Sequence, residues 1–252
     1  MEETSQRPST PKSPAWSNQD LRDDPHAVVD KAGRVRAMFG AIAHRYDLNN
    51  RLHSFGCDQR WRRAAVAMAE PVAGDAILDV ACGTGDLARL FVDADAGSVI
   101  GVDFTPEMLA IARSKGGGVE YQQGDAMELA FPDGSVDIVS IAFGLRNVQD
   151  PQAAISEFRR VLRPGGRLVI LEFSRPRNRV LAALNDLYAR HIMPRTAAWI
   201  AGDSSGAYRY LPRSVDTFLD PDALATLVRR TGFTQLDQRH LTFGVCTITL
   251  AQ

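Results

Sequence analysis

The stretch Ala76–Ala88, AILDVACGTGDLA, limits what this chain can fold into more than any other. The apolar run Ile77, Leu78 and Val80 carries one acid, Asp79, and breaks at Gly83-Thr84-Gly85. Beyond the break Leu87, Leu90 and Phe91 recur at i, i+3 and i+4. A short apolar run, a glycine turn and a helix-period segment read as a buried strand, a turn and a helix. Glycines let backbone approach a ligand closely, and the start of the following helix presents unpaired N–H groups. A nucleoside-containing cofactor is the expected occupant. Gly83, Gly85 and Ala88 also satisfy the loose fingerprint GxGxxA, a weak signal by itself. Its surroundings strengthen it: Asp103 closes the next apolar run, SVIGVD, and an acid there can hold both ribose hydroxyls.

With 252 residues and 45% apolar side chains, the chain can bury one sizeable α/β core. One domain is expected over residues 27–252. Residues 1–26, rich in Ser, Pro, Thr, Gln and charge, read as a disordered tail. A formal net charge of −1 gives no overall electrostatic footprint for nucleic acid. Cys57, Cys82 and Cys246 lack the spacing of a zinc site or a disulfide framework, which fits a reducing compartment. No metal is expected. Glu2 and Glu3 stand where a secretory signal wants positive charge, and runs such as Ile138 to Leu145 are far too short to span a bilayer. The expected location is the cytoplasm, with any membrane contact peripheral, at the inner membrane face.

Along the chain, Val35, Met38, Phe39 and Ile42 mark an amphipathic helix leading into His44-Arg45-Tyr46-Asp47-Leu48-Asn49-Asn50, a polar segment dense in proton donors and acceptors. Read on residues alone, a solvated loop is the favoured account of that segment. Ser54 to Arg63 opens a second helix, whose arginines 60, 62 and 63 suit either a solvated face or anionic headgroups. A third strand ends at Gly124-Asp125-Ala126. Asp125 has two readings there, an acceptor for an adenine amino group beside the Ala126 N–H, or the N-cap of a helix. A fourth strand, VDIVSIAF, ends at Gly144-Leu145-Arg146-Asn147, and a fifth is RLVILEF. Residues 175–214 then break the alternation with many arginines and aromatics. They read as a lid, a membrane-facing insertion or an ordinary helical excursion. Two strands around residues 233–241 and 244–250 finish the chain. Alternating strands and helices argue for an α/β fold with a mostly parallel sheet covered on both faces.

The strand LDVACGTG, Asp103 closing the second strand and Asp125-Ala126 closing the third resemble a class I S-adenosylmethionine (SAM)-dependent methyltransferase. Within that class, RYDLNN, SFGCDQRWRR, GVDFTPEML, LAFPDGSVDIVSIAFGLRNV, VLRPGGRLVILEFSRP and Tyr-x-Tyr-Leu-Pro at 208–212 resemble the menaquinone/ubiquinone biosynthesis C-methyltransferases. The resemblance implies a Rossmann-like, seven-stranded sheet, SAM as cofactor and a prenylated quinol as acceptor. It places cofactor contacts at Asp79, Gly83, Thr84, Gly85, Asp103, Asp125, Ala126 and Ala142. At Ala142 many members have a serine, so a hydroxyl contact is lost here.

The chemistry asks for alignment of acceptor carbon, methyl and sulfur, exclusion of water, and stabilisation of the oxyanion that makes a quinol carbon nucleophilic. Tyr46, Arg146 and Asn147 are the expected catalytic residues, Arg146 at the oxyanion and the other two positioning or relaying the proton. A short-chain dehydrogenase would need Tyr-x-x-x-Lys, and a nucleic-acid methyltransferase an (Asn/Asp)-Pro-Pro-aromatic motif after the fourth strand; the chain has neither. No nucleic-acid partner is expected, and the sequence does not set an oligomeric state.

Overall fold

Apolar runs bounded by glycine and acidic turns become the strands of one sheet: β1 (Ala76–Val80), β2 (Ser98–Asp103), β3 (Glu120–Gln123), β4 (Val136–Ala142), β5 (Leu162–Phe173), β6 (Leu236–Leu241) and β7 (Cys246–Ala251). This is a computed structural model, and it describes residues 15–17, 20, 21, 24–193, 195, 196 and 206–252. The strand order is β3-β2-β1-β4-β5-β7-β6. Strands β1 to β5 pair in parallel, and β7 inserts antiparallel between β5 and β6. The order reverses at β1, which is flanked by β2 and β4. A crevice at the carboxyl ends of β1 and β4 is where such sheets bind ligands.

The helices among the described residues are α1 (Lys31–His53), α2 (Cys57–Ala69), α3 (Asp86–Val92), α4 (Pro106–Lys115), α5 (Pro151–Val161), α6 (Arg179–Leu187), α7 (Ala207–Thr217) and α8 (Pro221–Arg230). Asp150 and Asp220 cap α5 and α8 by accepting from first-turn N–H groups, each followed by a proline whose missing N–H costs nothing there. Side chains alternate across the strands with period two. Leu78, Val139 and Ile170 pack on one face against Phe158, Leu224 and Val228 of α5 and α8. Ile77, Ile138 and Val169 pack on the other face against Trp61 and Phe91 of α2 and α3.

Two segments differ from the sequence reading. His44 to Asn50 is no loop: α1 runs unbroken for 23 residues through it. Neither Gly nor Pro occurs between Gly40 and Gly56, and the inward stripe continues through half-buried Tyr46 and buried Asn49. The helix stops only where Phe55 and Gly56 turn left-handed, at φ 53° and 73°. The stretch read as a tail also has ordered parts. Trp16 is wholly buried, and Pro25–Ala27 forms a 3-10 turn capped by Asp24. One large aromatic buries enough area to anchor an otherwise polar segment. Residues 1–14, 18, 19, 22 and 23 of that stretch lie outside the described residues, as do Trp199 and Asp203 of the 175–214 segment.

Candidate active site

After β1 the backbone turns left-handed at Ala81, Gly83 and Gly85, with φ 51°, 56° and 80°. Gly83 and Gly85 share a positive φ and differ in their surroundings. A Cβ on Gly83 would meet nothing within 4 Å, so this residue opens the turn toward a cavity that it lines. A Cβ on Gly85 would lie 2.1 Å from the Tyr121 hydroxyl, so that side of the turn is closed.

The cavity sits at the carboxyl ends of β1, β2, β3 and β4, and its lining includes Gly83, Asp103, Asp125, Ala126, Ala142 and Asn147. Asp103 is held firmly: Oδ2 accepts from Gly83 N and Oδ1 from Thr105 N, both at 2.8 Å. Burial raises its pKa, and these two backbone donors work against the rise. Each carboxylate oxygen has a second lone pair, so the group can still accept from a diol. Asp125 Oδ1 accepts from Met127 N at 2.9 Å. No helix follows, so the N-cap reading is replaced by a tight Asx turn, which points the strand end at the cavity. Phe104, Met108 and Met127 supply apolar walls. A fixed carboxylate for a ribose, an acid beside a free strand end for a base, and apolar faces for a ring fit an adenosyl group.

Three expected cofactor contacts stand behind the turn instead of lining the cavity. Asp79 is wholly buried and accepts from Ser140 Oγ at 2.7 Å. Burial lifts its carboxyl from 3.8 to about 7. Thr84 donates to Asp47 Oδ1 at 2.6 Å, and Asp47 meets Lys115 at 2.6 Å, which ties the turn to α1 and α4. Gly85 is closed off by Tyr121, as above. Their inward direction follows from the turn's left-handed residues, which a residue pattern does not display.

A second, larger cavity adjoins the first. Phe39, Tyr46 and Phe143 belong to both linings. Its other walls include Ile42, Trp61, Arg146, Phe173, Tyr188 and Tyr210, drawn from α1, α2, the β4 and β5 ends and the 175–214 segment. Of the expected catalytic residues, Tyr46 therefore faces both cavities, Asn147 the first and Arg146 the second. Asn147 accepts from Tyr210 OH at 3.0 Å and donates to Phe143 O at 3.2 Å. Burial raises the Tyr210 pKa, so it stays a neutral donor. Arg146 is less free than the sequence implies: Nη1 pairs with Glu172 at 2.6 Å and with Phe143 O at 2.7 Å, and Nε meets Ser214 at 3.3 Å. Lys31, also wholly buried, donates to Val148 O at 2.6 Å and pins the start of α1 to the cavity rim.

Sequence reasoning missed Glu172, Tyr210 and Lys31. Glu172 carried a usable signal, a lone acid inside an apolar strand like Asp79. Tyr210 stood in the Tyr-x-Tyr-Leu-Pro string without a role, and Lys31 carried no signal, because the partners of both are distant in sequence.

The architecture is shared by solved structures. A SAM-dependent methyltransferase from Thermotoga maritima matches with a TM-score of 0.61 at 19% identity, over 86% of this chain and 99% of that one. One from Aquifex aeolicus matches with a TM-score of 0.55 at 16% identity, over 75% and 88%. A doubly wound sheet with this cavity at its switch point is that of a class I SAM-dependent methyltransferase. The ubiE/COQ5 methyltransferase family model matches residues 27–252, and the chain belongs to that family. The demethylmenaquinone methyltransferase of Thermus thermophilus is 48% identical over 84% of this chain and 97% of its own length. That of Deinococcus radiodurans is 46% identical over 86% and 91%. The ubiquinone/menaquinone biosynthesis C-methyltransferase UbiE of Geobacter sulfurreducens is 43% identical over 88% and 90%.

Proposed function

We propose that this chain methylates a ring carbon of a prenylated quinol with SAM as donor, converting demethylmenaquinol to menaquinol. The observation that carries this reading is the pair of adjoining cavities, one edged by acids suited to an adenosyl group, the other larger and walled by aromatic and aliphatic side chains. A prenylated ring matches the second chemistry, and the names of the relatives agree.

When bound, SAM supplies an electrophilic methyl on a positive sulfur. Asp103 holds the ribose, and Asp125 with Ala126 holds the adenine. Phe39, Tyr46 and Phe143, shared by both linings, keep water from the junction and align the acceptor ring. As the quinol O–H loses its proton, negative charge moves to the neighbouring ring carbon, whose electron pair forms the new C–C bond to the methyl while the methyl–sulfur bond breaks and its pair leaves on sulfur as a neutral thioether. That ring carbon then sheds its own proton to restore the aromatic ring, and the ring oxygen takes a proton back, so one proton is released overall. The Tyr46 ring, edge-on to Phe39, lines both cavities, so its hydroxyl can serve the acceptor at their junction. Asn147 is oriented by Tyr210 to help move that proton. Arg146, neutralised by Glu172, serves the oxyanion through N–H donation and not through unpaired charge.

The acceptor side also supports contact with an anionic membrane, where polyprenyl quinols reside. Val180, Leu184 and Leu187 form an exposed row on α6 at i, i+4 and i+7, and Phe55 stands 80% exposed beside Tyr188. Arginines surround this ridge, but Asp186, Asp216 and Asp222 offset Arg175, Arg190 and Arg177. The electrostatic share is thus smaller than the arginine-rich sequence suggests.

Methyl transfer from labelled SAM to demethylmenaquinol and to a polyprenyl methoxybenzoquinol tests the reading. Label in the naphthoquinol supports it. Label only in the benzoquinol favours the ubiquinone branch, and label in neither overturns both.

A further inference from the structure

Trp16 lies before residue 27, where the match to the family begins, yet it packs directly behind Tyr210, a wall residue of the larger cavity. Its indole is wholly buried and stacks on Tyr210 with ring centroids 4.4 Å apart and planes 21° from parallel. The Arg34 guanidinium, held by Asp20 at 2.6 Å, lies 5.7 Å from the indole centroid. Trp16 is thereby clamped between α1 and α7. Its carbonyl oxygen also packs at the start of α7, 3.3 Å from where a Cβ on Gly206 would stand.

Tyr210 carries the contact inward. It is 1% exposed, lines the acceptor cavity and donates to Asn147 Oδ1, and Asn147 lines the cofactor cavity. One turn further along α7, Ser214 accepts from Arg146 Nε. The same helix face therefore seats both residues that follow β4. The Tyr210 hydroxyl lies on the long axis of its ring, so its reach follows from how the whole ring is seated about χ1, and a surface stacked on the ring face fixes that seat. Only Trp16 supplies a stacked aromatic surface there among the described residues.

We propose that Trp16 is a positioning residue for methyl transfer: by backing Tyr210 it holds the Tyr210–Asn147 hydrogen bond and so sets the acceptor cavity against the cofactor cavity. This rests on reading the larger cavity as the acceptor site. It assigns a function to a segment that the family match does not include. The stack supplies shape, and the phenol supplies the hydrogen bond.

Full-length wild type, Trp16→Ala, Trp16→Leu and Trp16→Phe are to be compared in steady-state methyl transfer to the quinol, with SAM affinity by calorimetry and thermal unfolding run in parallel. Trp16→Ala is expected to lower kcat/KM for the quinol by about tenfold to hundredfold, the scale of a misplaced site group, while SAM affinity stays within about twofold. Trp16→Phe, which keeps a stacking face, is expected to recover most of the loss. Trp16→Leu, which fills volume without that face, is not. If Leu recovers activity as well as Phe, or if a folded Trp16→Ala matches wild type, the positioning role is overturned. Should Ala fail to fold, the Leu and Phe comparison still decides. Wild type that labels neither quinol overturns the acceptor reading itself, a result distinct from an active wild type with indifferent Trp16 variants.

Discussion

Arg146 and Glu172 form a buried ion pair, 2.6 Å from Nη1 to Oε1, at the ends of the adjacent strands β4 and β5. Two charges withdrawn from water depend on each other, so removing one leaves the other stranded.

Arg146→Leu alone is therefore expected to cost about 3–5 kcal/mol of stability in denaturant unfolding, the scale for breaking a buried pair. Replacing both partners, Arg146→Leu with Glu172→Leu, is expected to restore much of it. The double variant then isolates chemistry from folding. If Arg146 donates to the developing oxyanion, kcat stays roughly 100-fold below wild type. Wild-type turnover in a stable double variant assigns Arg146 to bracing alone.

Asp103 receives two backbone N–H groups and lines the cavity proposed to hold SAM. Asp103→Ala should weaken SAM binding by about 1.5–3 kcal/mol in titration calorimetry, the worth of hydrogen bonds to a charged group. Because the same carboxylate fixes Gly83 and Thr105, Asp103→Asn is the needed control for turn geometry. Undiminished affinity in the alanine variant would remove the ribose from this acid.

Burial raises the Asp79 carboxyl from 3.8 to about 7, so between those values the folded chain keeps a proton that the unfolded chain has released. The resulting stability is complete below about pH 4 and is lost as pH rises through about 7. Asp79→Asn cannot ionise, and its urea-unfolding free energy is expected to change less over that window than wild type. Parallel pH curves for the two proteins would trace the loss to other groups.

Sedimentation with vesicles tests the proposal that the exposed apolar row of α6 meets a membrane. Binding to anionic vesicles should exceed binding to neutral ones and weaken with salt as the surface charges are screened. Leu184→Glu with Leu187→Glu should reduce it further than loss of one arginine, since three of the arginines already have acidic partners. Equal binding to both vesicle types at low salt would remove the electrostatic part.

The strands were legible because buried parallel strands must be apolar, and the site acids were legible because each closes such a strand. Asp103, Asp125, Ala126 and Gly83 line the cavity where that logic puts them. What stayed hidden depends on partners distant in sequence. Asp79 looks like any acid near a glycine turn until Ser140 on the neighbouring strand is seen to bond it. Arg146 reads as an unpaired cation until β5 brings Glu172 beside it. The polar residues His44 to Asn50 hid a helix because only one face of it turns inward, through Tyr46 and Asn49, and that face is itself polar.

Phase gives α1 a further consequence. Its residue Val35 lines the smaller cavity, Phe39 and Tyr46 line both, and Ile42, Asn50 and His53 line the larger. A straight helix turns about 100° per residue, so one residue added or lost between Phe39 and Tyr46 would swing every later side chain to a different side. Such a length change would leave the pocket edge at Phe39 in register and carry Tyr46 away from it. Over evolutionary time this segment should exchange side chains freely on its outer face while its length stays fixed. The turn at Phe55 and Gly56, just beyond the last of these contacts, is the nearest place where the chain can absorb an extra residue.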